Sequence, residues 1–334
     1  MIDIALCFDN NFVMQAGVFM TSLLMTNNAS AISIHAISGN LSDKNQQLLI
    51  NITQQFHSHI FFYKFDIKKI KSFPIGPKDH VSLAAYYRVF LPEILPNKLH
   101  KILYADCDTL VVDSLEELWH TDITNYSMAA IPDAYCNDSI KANRLGYSAT
   151  ENYYNSGILL INLDWWRSHN VTKNTTTFII TNPQLCLLHD QDALNSVLHG
   201  TIKALSAVYN IQDNFLLKDI SSLPIKNTYI YNDIISCNES PCIIHFNGPL
   251  KPWTIECYHP YRELWLFFQS KTFWRNTQKT HAYKNIELYR WYRRKILEFL
   301  HILKPKTEMY KNVSNKLNYF TARYFHLDTM TSHN

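Results

Sequence analysis

The sequence predicts an α/β protein with a mostly parallel central sheet flanked by helices. Short, continuously apolar runs rich in β-formers alternate with helical patterns over the first 270 residues. Continuously apolar strands separated by helices are typical of parallel sheets covered on both faces. Polar residues also follow several of these runs, and ligands of such sheets bind at the carboxyl ends of the strands.

The predicted elements follow from the period of the apolar residues. Seven runs are predicted to be strands: Ile2–Phe8, Ile32–Ile37, Ile60–Phe65, Ile102–Tyr104, Met128–Ile131, Ile158–Leu163 and Ile243–Phe246. Four stretches are predicted to be helices: Gln15–Thr26, Ser42–Phe56 with Ser42 as N-cap, Ser82–Leu91 and Asp190–Leu198. Three prolines, at 249, 252 and 260, mark the end of this pattern, so we place a domain boundary near residue 265. The predicted organisation is a body over 1–265 and a basic, helical C-terminal region over 266–334.

The glycine content excludes several nucleotide-binding motifs. The 334 residues contain seven glycines, against an expectation of about 7% of residues. Neither G-x-G-x-x-G nor G-x-x-x-x-G-K-[ST] can be formed, so the usual phosphate-binding loops of dehydrogenases, kinases and P-loop proteins are excluded. A phosphorylated ligand would have to be bound by a metal ion and by charged side chains.

The seven cysteines are scattered and form no C-x-x-C pair. This pattern favours reduced thiols over a zinc site or a disulfide framework. Reduced thiols are typical of a cytoplasmic protein, which is the location that we expect.

Polar side chains collect where this architecture places a ligand. Asp9 and Asn11 follow the first predicted strand, and Asp106 and Asp108 follow the fourth. In extended chain, side chains at i and i+2 lie on the same side, so Asp106 and Asp108 could share one divalent cation. The alternative for such a pair is a solvated turn, but a bare acidic pair at the end of an apolar strand is unfavourable unless another group compensates it.

A second candidate site segment begins at His245, at the end of the last predicted strand. Gly248 allows close approach of the backbone, and Lys251 supplies a charge suited to phosphate. Carboxylates together with an imidazole suit Mn²⁺ better than Mg²⁺. The alternative is a rigid turn that packs Trp253 onto the body.

Two further polar groups have structural as well as functional interpretations. Asp190 and Asp192 open a predicted helix, where acids in the first turn are common without any ligand. Arg88 lies in an apolar stretch and needs an anionic partner, which could be a structural acid or a substrate phosphate.

Six short segments occur in a fixed order along the chain: Asp9-Asn10-Asn11, Tyr86-Tyr87-Arg88, Leu103-Tyr104-Ala105-Asp106-Cys107-Asp108, Tyr154-Asn155-Ser156-Gly157 continuing to Leu163, Asp190-Gln191-Asp192, and His245 to Trp253 with Gly248 and Lys251. Together these segments resemble glycosyltransferase family 8, which includes lipopolysaccharide glucosyl- and galactosyltransferases and glycogenin. The resemblance extends from Ile2 to about Tyr258.

The resemblance implies a GT-A fold and a retaining transfer of glucose or galactose from a UDP-sugar. It further implies that Asp106, Asp108 and His245 ligate Mn²⁺, with Mg²⁺ possible, and that Asp9 and Asn11 hold the uridine. Cys107 lies between the two metal-binding acids and is expected in the donor site. The resemblance also implies that Gly248 and Lys251 close on the diphosphate. The donor sugar would be surrounded by Arg88, Asn155, Asp190 and Gln191. The catalytic candidates among these are Asp190 and Gln191. Cys7 and Phe8 depart from the small residues that often line the uracil pocket in this family.

Retention of configuration has two possible mechanisms. A double displacement needs a carboxylate beneath the anomeric carbon, and Gln191 is a poor nucleophile. We therefore favour front-face attack, with the leaving phosphate accepting the proton of the acceptor. The alternative uses Asp190 or Asp192 as the nucleophile.

The C-terminal region differs in charge from the rest of the chain. Residues 271–334 hold 13 lysines and arginines and 4 acids, a net charge of +9, whereas residues 1–270 have a net charge of −6. Five apolar residues form one helical stripe: Tyr289, Tyr292, Ile296, Phe299 and Leu303. A basic amphipathic helix favours an anionic membrane surface, so we expect a peripheral protein on the inner face of the cell membrane that acts on a glycan or glycolipid acceptor. The alternative is that the stripe packs on the body, and no motif indicates a nucleic acid partner.

Two other classes of function stay open at this stage. A metal-dependent nucleotidyl- or phosphotransferase would also use D-x-D and a lysine, but it would release pyrophosphate or transfer phosphate. A non-catalytic glycan- or membrane-binding protein could retain a transferase scaffold.

Overall fold

The computed structural model describes residues 1–75 and 82–331, and the predicted α/β class is confirmed. Residues 332–334 of the predicted basic region lie outside the described residues. The strands are β1 Ile2–Cys7, β2 Ile32–Ser38, β3 His59–Lys64, β4 Lys101–Ala105, β5 Thr109–Val111, β6 Met128–Pro132, β7 Tyr154–Asn162, β8 Ile202–Ala204 and β9 Ile243–His245. The helices are α1 Val13–Thr26, α2 Asp43–Gln55, α3 Leu91–Ile94, α4 Glu116–Trp119, α5 Ser139–Leu145, α6 Leu163–Ser168, α7 Val171–Thr181, α8 His189–Leu198, α9 Thr228–Ser236, α10 Arg262–Ser270, α11 Asn285–Phe299 and α12 Ser314–Thr331.

Seven strands form the central sheet in the order β3-β2-β1-β4-β7-β6-β8. Strands β3, β2, β1 and β4 run parallel, and β6 is parallel to β8. Strand β7 runs antiparallel to both of its neighbours. The start of β7 therefore meets the carboxyl ends of β4 and β6, which brings its first polar residues, Asn155 and Ser156, to the ligand-binding edge.

The last predicted strand does not join this sheet. Strand β9 pairs with the short strand β5 in a separate two-stranded antiparallel sheet, with Thr109 opposite His245. Because β5 begins directly after Asp108, this pairing brings His245 next to the two aspartates.

The predicted helix at Ser82–Leu91 is instead a 3-10 helix over Leu83–Phe90, followed by α3. The Ser82 hydroxyl accepts a hydrogen bond from the amide of Ala84 and opens this tight turn. A 3-10 segment of eight residues is unusually long.

The predicted domain boundary at residue 265 falls inside α10. Leu264, Trp265 and Phe268 of this helix are buried in the main hydrophobic core. Helix α12 also packs on the body: Phe320 and Tyr324 are buried, and the Tyr324 hydroxyl donates to the carbonyl of Val112 at 2.6 Å. Part of the basic region therefore belongs to the folded body.

Candidate active site

A cavity of about 570 Å³ opens at the carboxyl edge of the sheet. Its wall combines residues after β1 and β4, the start of β7, the first turn of α8 and the loop that follows β9. Ten of the predicted site residues line it: Arg88, Asp106, Cys107, Asp108, Asn155, Asp190, Gln191, His245, Gly248 and Lys251.

Asp106, Asp108 and His245 form a possible metal site. One ligand atom from each residue lies within 4.8 Å of the others. The Nε2 atom of His245 is 3.3 Å from a carboxylate oxygen of Asp108 and 3.9 Å from one of Asp106. Two carboxylates and an imidazole fit a divalent metal ion, because oxygen and nitrogen ligands of this kind are common in such sites.

Neighbouring side chains hold the imidazole of His245 in place. Its Nδ1 atom lies 2.9 Å from Oδ1 of Asn210, and an amide oxygen only accepts hydrogen bonds. Nδ1 therefore carries the hydrogen and Nε2 is left to face the carboxylates, which is the arrangement of a typical metal-binding histidine. Gly157 lies against the same ring, and a Cβ atom there would collide with it.

Lys251 adds a cation directly beside this triad. Its ammonium group is 2.7 Å from Asp108 and 2.6 Å from the carbonyl of Phe246. Burial alone would raise the pKa of Asp108, but Lys251 and His245 more than offset this and hold that pKa well below its usual range. Asp108 is therefore ionised at neutral pH, as a metal ligand must be.

Arg88 joins the metal side of the cavity to the opposite wall. Its guanidinium is buried and lies 2.9 Å from Asp106 and 3.1 Å from Asp190. It also donates to the backbone carbonyl and the hydroxyl of Ser156. Of the two partners that the sequence allows for Arg88, the structural acids are thus present, and the side chain still lines the cavity.

Gln191 and Asn155 contact each other in the wall of the cavity. Oε1 of Gln191 accepts hydrogen bonds from the amide of Ser156 at 3.0 Å and from Nδ2 of Asn155 at 3.2 Å. Nε2 of Gln191 lies 3.4 Å from Oδ2 of Asp133. The amide oxygen of Gln191 is thus engaged by the protein.

The two acids of the Asp190-Gln191-Asp192 motif have different surroundings. Burial raises the pKa of Asp190 to about 6, although Arg88 opposes the rise. Asp192 is fully buried and pairs with both terminal nitrogens of Arg144 and with the hydroxyl of Tyr153. Asp192 therefore has a structural role, and it does not line the cavity.

Asp9 and Asn11 lie beside the cavity and do not line it. Oδ1 of Asp9 accepts a hydrogen bond from the amide of Asn11 at 2.8 Å, which opens a 3-10 turn, and the Asn11 side chain is exposed. Cys7, Phe8 and Phe12 line the wall here. Burial raises the pKa of the Cys7 thiol, so it is uncharged at neutral pH.

Sequence reasoning missed Asp133 and Asn210. Asp133 directly follows β6 and lines the cavity, so the rule that found Asp106 and Asp108 would have found it too. Asn210 lies in an irregular segment, and its contact with His245 depends on the long-range pairing around β9. No local signal marks it.

The apolar stripe of α11 is exposed. Tyr289, Tyr292, Ile296 and Phe299 are 50–83% exposed, and Leu303 is 38% exposed. The structure thus does not pack this stripe on the body. In the described part of the chain, no helix combines the length and hydropathy needed to cross a membrane.

Comparisons with known proteins agree with the fold and identify the family. The model of the family "Glycosyl transferase family 8" matches residues 3–257. General stress protein A of Bacillus subtilis is 31% identical over 272 residues, which cover 80% of this chain and 93% of that protein. The lipopolysaccharide glucosyltransferase WaaO of Escherichia coli is 26% identical over 334 residues, covering 97% and 92%.

The fold is also that of solved transferases. A crystal structure of the galactosyltransferase LgtC, in complex with donor and acceptor sugar analogues, superposes with a TM-score of 0.74 at 22% identity. The match covers 87% of this chain and all of that one. This similarity confirms the GT-A fold. With the family match over most of its length, the chain belongs to glycosyltransferase family 8 and is a glycosyltransferase.

Proposed function

We propose that the protein is a retaining, Mn²⁺-dependent transferase that moves glucose or galactose from a UDP-sugar to a lipopolysaccharide-core or other surface glycan. The observation that carries this proposal is the cluster of Asp106, Asp108 and His245 with Lys251 beside it. A nucleoside diphosphate needs a divalent ion and a further cation. In this glycine-poor chain, side chains offer the ligands for the ion and, in Lys251, the further cation. Relatives named as lipopolysaccharide glucosyl- and galactosyltransferases support the donor and acceptor classes.

In this proposal, Asp106, Asp108 and His245 would hold the metal ion, and a bound divalent ion would supply positive charge opposite the leaving diphosphate. Lys251 supports the same phosphate groups by charge and hydrogen bonding. Asp9 and Asn11 lie at the uridine end, where Cys7, Cys107 and Phe8 form the adjoining wall. Gly248 lets the loop after β9 approach closely, because a Cβ atom there would meet the carboxylate of Asp213.

The surroundings of the three motif residues support front-face attack. Gln191 presents an amide whose oxygen is already engaged, Asp190 is tied to Arg88, and Asp192 is buried against Arg144. We therefore assign Gln191 and Asp190 to the reacting centre as groups that orient the donor sugar. The leaving phosphate accepts the proton of the acceptor hydroxyl.

The experiment that tests this function is UDP release from a panel of UDP-sugars, with and without Mn²⁺. We expect metal-dependent release from one donor, lost in Asp108→Asn and retained in Asp219→Asn, which changes an exposed aspartate of the surface. Release of pyrophosphate would support a nucleotidyltransferase instead. If no UDP-sugar of the panel releases UDP and the protein does not bind UDP, the result would support a non-catalytic binding protein.

We also propose that α11 attaches the enzyme to the inner, anionic face of the cell membrane. The exposed apolar stripe is flanked by Arg290 and Arg293, which are exposed as well. Each cation near anionic lipid contributes about 1 kcal/mol, and the stripe can insert into the interface. A membrane-bound enzyme would meet a lipid-linked acceptor directly.

Vesicle sedimentation tests the membrane proposal. Removing residues 271–334 would also remove the buried side chains of α12, so point substitutions are the better probe. We expect Tyr289→Ser with Phe299→Ser to reduce binding to phosphatidylglycerol vesicles and to leave the melting temperature unchanged. Equal binding of this variant and the wild-type protein would contradict the proposal.

A further inference from the structure

Lys141 is a nearly buried lysine in the wall of the cavity. The proposed mechanism does not use this lysine. It is the third residue of α5, and its side chain is 11% exposed. Its ammonium group lies 3.6 Å from Oδ1 of Asp133 and 3.9 Å from the centre of the Tyr153 ring. Buried lysines are rare unless they are paired, and within the described residues Asp133 is the carboxylate that pairs with this one.

Lys141 is held in this position from two sides. Asp138 caps α5 and accepts a hydrogen bond from the backbone amide of Lys141 at 3.2 Å. Beneath the ammonium group, the Tyr153 ring is fixed because its hydroxyl donates to Asp192 at 2.7 Å. A cation over an aromatic face is attracted to the ring, so this contact directs Lys141 toward the cavity.

Asp133 in turn contacts the wall that is proposed to face the donor sugar. Its Oδ1 atom accepts a hydrogen bond from the amide of Tyr135 at 3.0 Å and faces Lys141. Its Oδ2 atom lies 3.4 Å from Gln191 and 3.5 Å from Asn155. These last two contacts are long for hydrogen bonds, so Oδ2 keeps the capacity to accept one from a sugar hydroxyl.

We propose that Lys141 is a positioning residue for sugar transfer, which holds one oxygen of Asp133 so that the other faces Gln191, Asn155 and the transferred sugar. This inference rests on the proposed function. Asp133 is buried, and a buried carboxylate without its cation is strongly unfavourable. Without Lys141, the carboxylate would turn away from the two amides, and the sugar would lose its alignment while the diphosphate end stays bound by Lys251.

The experiment compares Lys141→Ala with Lys203→Ala in the intact enzyme. Lys203 also lies over an aromatic ring, that of Tyr126 at 5.7 Å, but outside the cavity. Misplacement of a reacting group by an ångström reduces rates by up to about a hundredfold, so we expect a loss of kcat of up to that size in Lys141→Ala. The KM for the donor and the affinity for UDP should be unchanged, and Lys203→Ala should behave as wild type.

Chemical rescue separates positioning from a purely structural role. Propylammonium replaces the atoms that Lys141→Ala lacks, so we expect propylammonium chloride to restore kcat and potassium chloride at equal ionic strength not to. Wild-type kcat in Lys141→Ala would overturn the proposal, and so would a loss that propylammonium does not restore in a folded variant.

A second measurement is independent of activity. Lys141→Met should lower the melting temperature of the wild-type protein by more than it lowers that of Asp133→Asn, because the charge partner is already gone in the latter. Additive shifts would overturn the pairing even if no UDP-sugar is turned over. Failure of the wild-type protein to bind UDP or to release it would instead count against the proposed function.

Discussion

Gly157 shows how strongly one residue can constrain the metal site. It lies in β7 directly against the imidazole of His245. Gly157→Ala would displace this ring, and we expect the affinity for Mn²⁺ to fall about 10- to 100-fold, as for other changes to groups that orient metal ligands. Titration of Mn²⁺ followed by electron paramagnetic resonance measures the change.

The matched control for this change is Gly17→Ala. A Cβ atom at Gly17 would collide with the side chain of Trp274, away from the cavity. It should lower stability and leave the affinity for Mn²⁺ as it is. Equal affinities in the two variants would contradict the role of Gly157.

The raised pKa of Asp190 predicts how the stability of the protein depends on pH. Its pKa is raised from 3.8 to about 6, mainly by burial, so the folded protein binds this proton more tightly than the unfolded chain. Stability is therefore lost as the pH rises from about 4 to 6, by about 3 kcal/mol in total. Asp190→Asn should be more stable than wild type above pH 6, and this gain should disappear below pH 4.

Chemical denaturation of the metal-free protein at several pH values measures this gain. Asp192→Asn is the control of opposite sign. It breaks a buried pair with Arg144, and such changes destabilise by about 3–5 kcal/mol. Arg88, by contrast, keeps Asp106 as an ionic partner when Asp190 is neutral. A loss of stability in Asp190→Asn at pH 8 would contradict the raised pKa of Asp190.

The candidate site was predictable from sequence wherever a residue directly follows a strand. Asp106 and Asp108 were found in this way and His245 because it ends a strand, and all three lie together in the structure. The rule also applies to Asp133. The contact of Asn210 with His245 and the two acidic partners of Arg88 were not predictable from local patterns, because these contacts depend on which distant segments meet.

At the scale of elements, the two long helices of the C-terminal region, α11 and α12, have different environments. Helix α11 is exposed along its apolar stripe, whereas Phe320 of α12 is buried in the main core. Phe320→Ala should therefore cost about 3–5 kcal/mol of unfolding free energy. Phe299→Ala, in the exposed stripe, should cost less than about 0.5 kcal/mol.

Urea denaturation of the two variants measures both effects. Similar losses would mean that the stripe of α11 packs on the body in solution. The helical stripe of α11 was visible in the sequence, but its exposure was not, because the period of a helix shows which residues share a face and not what covers that face.

The seven predicted strands were all found, and their directions were not all as expected. The apolar run of β7 predicts a buried strand, but only the tertiary structure shows that this strand lies antiparallel between β4 and β6. Strands β5 and β8, which were not predicted, have three residues each and so carry little signal of their own. The segment Leu83–Phe90 carries helical periodicity, which does not distinguish a 3-10 helix from an α-helix.

At the scale of the whole molecule, ligand binding should couple to global stability. A ligand at 100 times its Kd stabilises the folded state by about 2.7 kcal/mol. We expect UDP to raise the melting temperature more with Mn²⁺ than without it, because the metal site and Lys251 lie in one cavity. Asp108→Asn should abolish the part that depends on Mn²⁺, and Asp219→Asn should retain it.

The antiparallel insertion of β7 has a consequence for engineering. Residues 128–198 carry Asp133, Asn155 and Gln191 together with the network of Arg144, Tyr153 and Asp192 that supports them. The metal ligands and Lys251 lie outside this segment, and Arg88 joins the two parts. A chimera that exchanges 128–198 for the same segment of a relative with another donor, and that keeps Arg88, should inherit the sugar preference of the graft and the nucleotide preference of the host.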